Sequence, residues 1–311
     1  MMKIIKINDP NSKLKSLLDK RYAENKSNIN IIVKNIIEDV KINGDKAIIK
    51  YSKKFDKVPI DKTKIKINKL KNKNNLNIDI KILKSFKKAI KNITKFHKKQ
   101  FPKNLFQNDN NIKLKSQWKP IESVGLYVPG GKAFYPSSLI MNAIPAKIAG
   151  VKRIVCVTPP TLELNPYFLA LLNELNIKET YFVGGAQAIA ALAIGTEKIK
   201  PVNKIFGPGN NYVAEAKKQL FGRVGIDLIA GPSEIIVVAN NDNNPKWVAS
   251  DLMAQAEHDP NAQSILITDD KKFAYEVKRQ IKILSNNISK RNIINQSLDK
   301  NGLIILVKRI Q

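Results

Sequence analysis

From Ile121 onward, short apolar runs alternate with helix-length stretches, and that alternation leaves few folds open. SVGLYVP is followed by SSLIMNAIPAKIAG, KRIVCVTPP by PYFLALLNELN, ETYFVGG by AQAIAALAIG, and NKIFGPG by NNYVAEAKKQL. IDLIAGPSEIIVVA then precedes PKWVASDLMAQAEH, and AQSILITDD precedes KKFAYEVKRQIKIL. Short right-handed crossovers in a β-α-β-α order predict parallel sheets with helices on both faces. Ligands bind at the strand ends of such sheets.

The first 120 residues are helix-rich. A short strand and a helix, KLKSLLDKRYAE, with Leu14, Leu17 and Leu18 on one face, are expected within residues 1–25. Asn28–Asp56 carries a helical pattern (Ile32, Val33, Ile36, Ile37, Val40, then Ala47, Ile48, Tyr51) interrupted at Gly44. Residues 57–75 read as a weak strand and loops. Ile78–Lys99 is helical again, with a stripe of Ile82, Leu83, Phe86, Ala89, Ile90 and Ile93, and His97 follows as a solvated surface residue. Phe101–Lys119 reads as a loop and a strand. GLIILV near the C-terminus reads as a core strand, after which further chain is expected.

The net charge of +28 raises a nucleic-acid reading, and its distribution argues against one. Residues 121–270 hold 12 basic and 14 acidic side chains, whereas the other 161 residues hold 42 and 12. The excess is almost all Lys, interleaved with Ile and Asn. Arg forks and alternating aromatics, which mark base readers and single-strand binders, are missing. No specific nucleic-acid partner is expected, only loose attraction to polyanions at low salt. No apolar run reaches the roughly 18–20 residues of a membrane span, and the N-terminus lacks a signal-peptide h-region. The single cysteine, Cys156, lies in an apolar run and reads as a buried structural thiol. A reducing cytoplasm fits these features.

Polar residues gather at glycine turns. Gln255 and His258 lie three apart near the end of a helix and share a face. They suit either half of a metal site or ordinary hydrogen bonding, since a tetrahedral zinc needs four donors. Asp251, Glu257 and Asp259 nearby read as supporting partners or surface charges. In AGPSE, Ser233 could hold a polar substrate or close its own turn. In GPGN, Asn210 stands where a strand passes into a helix, as an N-cap or beside a bound phosphate. VGGAQA places Gln187 in a first helical turn, and LYVPGGKA places Tyr127 before a glycine bend. None of these is a G-x-G-x-x-G fingerprint.

Taken in order and spacing, VGLYVPGG, VGGAQAIAALAIGTE, NKIFGPGN, AGPSEIIVVA and SDLMAQAEHDP resemble the histidinol dehydrogenase family. The resemblance runs from about Ile121 to Thr268. It implies an α/β fold of two Rossmann-like doubly wound domains with a helical N-terminal region. The implied division is 1–25 as an arm, 26–124 with 233–311 as one domain, and 125–232 as a second, on the NAD side. It implies NAD-dependent, zinc-dependent oxidation of L-histidinol to L-histidine through the aldehyde, in a cytoplasmic homodimer. Tyr127, Gln187 and Asn210 would contact NAD, Ser233 the substrate, and Gln255 and His258 both zinc and substrate.

The family's Pro-Glu-His bases and two further zinc ligands would lie beyond Gln311. No catalytic base is therefore expected within this chain, which reads as a C-terminally truncated member. The alternative is a non-catalytic remnant or a basic anion-binding protein.

Overall fold

The computed structural model describes residues 2–6, 26–67, 78–109, 112–130, 135–161, 165–229, 231, 233–286 and 288–310. Two compact units emerge, Ser27–Ile229 and the pairing of Met1–Lys26 with Ala230–Gln311. The helix expected over KLKSLLDKRYAE lies outside the described residues.

The larger unit is built on a five-stranded sheet: β4 (Ser123–Tyr127), β5 (Arg153–Thr158), β6 (Glu179–Phe182), β7 (Lys204–Phe206) and β8 (Gly225–Ile226), in the order β6-β5-β4-β7-β8. All its pairings are parallel. Counted along the chain this is the order 3-2-1-4-5, which reverses between β4 and β7 and opens a crevice there. Helices α3 (Pro136–Ile148) and α4 (Pro166–Glu174) bury Leu139, Ile144, Leu171 and Leu172 with Cys156 on one face. Helices α5 (Gly185–Ile194) and α6 (Asn211–Leu220) bury Ile189, Leu192, Val213 and Ala216 with Val155 and Val157 on the other. Cys156 is fully buried and its thiol pKa is pushed up by that burial, as a structural thiol requires.

Helix α1 (Lys26–Tyr51) packs Val33, Ile36, Ile37 and Val40, and then Ala47 and Ile48, into this second face. Gly44 bends it, with φ 50 and ψ −125. A π-turn, Ser52–Asp56, continues it. Of the weak strand expected in 57–75, the described residues, up to Ile67, show an antiparallel bridge of Lys66 to Tyr181, which covers part of the β6 edge. Helix α2 (Ile80–Lys98) lays Phe86, Ala89, Ile90 and Ile93 half-buried against the first face. His97 is half-buried rather than solvated, edge-on to Phe96.

Two expectations need correction. The single strand expected within Phe101–Lys119 is instead an antiparallel pair, β2 (Leu105–Asp109) and β3 (Ile112–Ser116). The division into units also differs from 26–124 with 233–311. Helix α1 shares a continuous core with β4–β8, so residues 27–124 group with 125–229. The run IDLIAGPSEIIVVA is split by this boundary, Ile226 belonging to one sheet and Glu234–Val238 to the other.

The smaller unit is a four-stranded parallel sheet, β1 (Lys3–Lys6), β11 (Leu303–Leu306), β10 (Gln263–Thr268) and β9 (Glu234–Val238), in that order. Helices α7 (Pro245–Ala256), α8 (Lys271–Ser285) and α9 (Arg291–Asn301) all bury side chains in one cluster on one face, with Leu266 and Ile304. The opposite face carries Ile265, Leu303 and Ile305, and no helix residue joins that cluster among the described residues. Among the described residues, no helix is long and apolar enough to cross a membrane.

Arg153 ties β5 to its surroundings. It donates to both carboxylate oxygens of Glu179 on β6 at 2.9 Å and to the carbonyls of Lys200 and Pro201. That fork also holds the Glu179 carboxyl below its ordinary range. A lysine cannot reproduce four directed bonds. Arg153→Lys is expected to lower stability by about 1–3 kcal/mol, read as a lower urea midpoint at unchanged slope.

Candidate functional site

The C-terminal edge of the five-stranded sheet collects three of the residues singled out in the sequence. Tyr127 ends β4 and is buried, and its hydroxyl accepts the backbone N–H of Gly185 at 3.2 Å. The hydroxyl therefore serves as the cap of α5, whose own N-cap, Gly184, has no side chain to offer. Burial pushes the Tyr127 pKa up to about 12, so the phenol keeps its proton as a donor. Gln187 lies in the first turn of α5 and is 1% exposed. Both its Oε1 and its Nε2 are buried without a hydrogen-bond partner among the described residues. Gly185 beside it has φ 61, and a Cβ there would lie 2.8 Å from Gln187 Oε1.

Asn210 caps α6. Its Oδ1 accepts from the N–H groups of Tyr212 and Val213, each at 3.1 Å, and the residue stays exposed. Tyr127 and Asn210 thus follow the two strands, β4 and β7, between which the order reverses. Gln187 follows β6.

The loop leading to Asn210 is clamped by residues that the sequence reading passed over. Gly207 N donates to Asp227 Oδ2 at 2.8 Å, and Lys217 Nζ donates to Gly207 O at 2.6 Å and to Asp227 Oδ1 at 2.7 Å. Lys217 is buried. Gly207 has φ 121, and a Cβ on it would stand 2.0 Å from the Tyr127 carbonyl oxygen. Only glycine lets the loop cross the end of β4 so closely.

In the smaller unit the singled-out residues fall at the opposite end of their sheet. Ser233 directly precedes β9, and its carbonyl accepts from Gln263 N at the start of β10. Helix α7 runs back from the end of β9 and stops at Ala256, so Gln255 is in its last turn. His258 lies in the turn just beyond the helix rather than on it, with its N–H directed to Gln255 O at 3.3 Å. All three therefore sit at the N-terminal edge of the parallel strands. Ser233 and His258 are exposed and Gln255 is half-buried. Asp259 closes the following turn through Asn261 N at 2.6 Å.

A family model described as histidinol dehydrogenase matches residues 19–311. The chain belongs to the histidinol dehydrogenase family. It is 46% identical over 291 residues to a histidinol dehydrogenase of Rhodospirillum rubrum, covering 91% of this chain and 66% of that protein. It is 47% identical over 285 residues to one from Brucella suis, covering 89% of this chain and 65% of that protein. A crystal structure of histidinol dehydrogenase from Elizabethkingia anophelis superposes with a TM-score of 0.87 at 35% identity, over 99% of this chain and 71% of that one. The chain thus spans just under two thirds of the length of these curated relatives.

A dinucleotide fits what this member of the histidinol dehydrogenase family presents. A buried amide with no partner of its own is a standing demand for one, and the helix starts of α5 and α6 beside it offer backbone N–H groups suited to phosphate. A zinc ion fits less well. Gln255 and His258 are two donors, and no group of three or more His, Cys, Asp or Glu that could hold a metal occurs among the described residues. Two donors do not close a tetrahedral centre.

The Lys217–Asp227 clamp is the residue pair on which the histidinol dehydrogenase loop Gly207–Asn210 depends. Lys217→Ala would leave Asp227 with backbone donors only and the Gly207 carbonyl without its ammonium. The expected loss is about 2 kcal/mol, since the buried ammonium's charge-assisted hydrogen bonds to Gly207 and to a solvent-accessible carboxylate are lost, measured by equilibrium urea unfolding.

Proposed function

We propose that this chain carries the dinucleotide-binding part, and a portion of the substrate site, of an NAD-linked oxidation of L-histidinol to L-histidine. The observation that carries the reading is the partnerless, buried amide of Gln187 at the C-terminal edge of a 3-2-1-4-5 sheet, beside the Tyr127 phenol. Bound NAD would supply the hydride acceptor. The residues of the chain bind and orient it. Tyr127, fixed by Gly185 N–H, keeps a proton to donate, Gln187 offers one acceptor and two donors, and Asn210 offers the amide nitrogen left over from its capping role. Ser233 is proposed as a substrate contact. Gln255 and His258 are proposed as part of a zinc site that requires further ligands.

His97 and His258 are the two imidazoles in the sequence, and neither is assigned the role of the base that takes the hydroxyl proton. The 311-residue chain alone is therefore expected to bind NAD yet give no steady NADH signal with histidinol. Calorimetric titration with NAD is the direct test. Saturable binding by the chain, weakened about tenfold in Gln187→Ala through loss of its hydrogen bonds, is the expected result. Absence of saturable binding, or an unchanged constant in the variant, would sink the reading.

A second copy of the chain is the proposed partner, in a cytoplasmic setting. The β2–β3 hairpin supports this, because all its described residues are exposed and Leu105, Ile112 and Leu114 share one face. Their exposures are 67%, 63% and 58%. A lone two-stranded hairpin is marginal in water, so such a face calls for cover. Leu105→Lys with Leu114→Lys is expected to shift sedimentation from dimer to monomer while NAD binding persists.

A further inference from the structure

Helix α1 ends in the π-turn Ser52–Asp56, and Lys57 then takes a left-handed conformation with φ 56. Single π-turns inside or after helices often mark functional sites. This one delivers Asp56 to the core that holds Tyr127, since Tyr51, Ile60 and Tyr127 belong to the same buried cluster. The Oδ2 of Asp56 is buried without a hydrogen-bond partner. Among the described residues no hydrogen bond or ion pair of the carboxylate stands in place of that partner. Desolvation alone pushes its pKa up to about 6, so it is a bare carboxylate at neutral pH. After burial, the charge of Asp56 also helps to raise the pKa of the Tyr127 phenol.

Three groups with open hydrogen-bonding capacity are linked through Tyr127: its own hydroxyl, the Asp56 carboxylate whose charge acts on it, and the Gln187 amide. The link between the hydroxyl and the amide is Gly185, which donates to Tyr127 and abuts Gln187. A carboxylate only accepts hydrogen bonds and repels phosphate. Of the parts of a dinucleotide, a ribose diol offers two adjacent hydroxyl donors and no charge. A carboxylate is the usual partner for it in nucleotide sites, although here it comes from a helix end rather than a strand.

We propose that Asp56 is a further cofactor-binding residue, its carboxylate accepting hydrogen bonds from a ribose diol of NAD beside Tyr127 and Gln187. The inference rests on the dinucleotide reading given above. It also sets the direction of two pH effects. Because the folded pKa lies above the unfolded value, the stabilisation Asp56 gives is complete below the unfolded pKa and is lost as pH rises through about 6. The free protein then bears a desolvated charge at neutral pH, while the ligand-binding form is the ionised one.

Asp56→Asn and Asp56→Ala in the full 311-residue chain separate the possibilities. Expected for Asp56→Asn is a raised Tm at pH 8 without ligand, together with NAD binding weakened on the order of tenfold by calorimetry. Asp56→Ala is expected to weaken NAD binding at least as much. Wild-type affinity should fall as pH drops from 8 to 5 with a midpoint near 6, and the Asn variant should not follow it. Unchanged NAD affinity in both variants, with Gln187→Ala still impaired, would overturn the assignment and leave the cofactor cleft standing. A lowered Tm in both variants with affinity lost in parallel would mark a structural residue and also overturn it. No saturable NAD binding by the wild-type chain would remove the cleft and the assignment together.

Discussion

The backbone of Gly207 passes so close to the carbonyl of Tyr127 that no side chain fits between them, and the candidate cofactor edge is built around that approach. β4 and β7 are neighbours on which the strand order turns, and the loop leaving β7 must fold across the end of β4 to reach the start of α6. Asp227 at the end of β8 and Lys217 from within α6 fix that crossing by holding the Gly207 N–H and carbonyl. Lys217 is buried while Asp227 keeps solvent access, so desolvation of the ammonium offsets much of their attraction and the pair is worth little as net stability. Its use is to set one path for the loop, so that Asn210 caps α6 and stays exposed at the crevice.

The two units place their polar residues by different rules. In Ser27–Ile229 the candidates lie beyond the C-terminal ends of the strands, where helix starts and open backbone donors gather. In the other unit Ser233, Gln255 and His258 lie at the N-terminal ends. A helix there finishes rather than starts, and its dipole favours cations over anions. That polarity suits a metal or a cationic amine better than a phosphate. It also explains why the strand-end rule, applied evenly to the whole chain, locates one group of residues and misplaces the other.

Much of this was legible in the sequence. The alternation after Ile121 gave every strand and helix of the five-stranded sheet except β8, and GPGN and VGGAQA marked the turns that carry Asn210 and Gln187. What escaped the reading depends on contacts between distant segments. Nothing local in FGRVGIDL tells Asp227 from a surface acid, because its role exists only once Gly207 and Lys217 are beside it. The β2–β3 pair was missed because the apolar residues of IKLKS alternate with lysines, and both strands stay exposed. The unit boundary hid inside IDLIAGPSEIIVVA, where two strands of different sheets read as one apolar run.

Asp56 shows why buried polar groups deserve a separate search from motifs. FDKVP has no catalytic signature, and an aspartate after a lysine-rich helix end reads as solvated. The fold buries its Oδ2 and, among the described residues, gives it no counter-charge, an arrangement that lowers the stability of the free protein at neutral pH. Arg153 and Glu179 show that the same fold does pair its half-buried charges where only architecture is at stake. A buried carboxylate oxygen left without a partner among the described residues, with its charge acting on Tyr127, is therefore better understood as a group waiting on a ligand's hydroxyls than as a flaw in packing, since local instability concentrates where binding supplies the missing interactions.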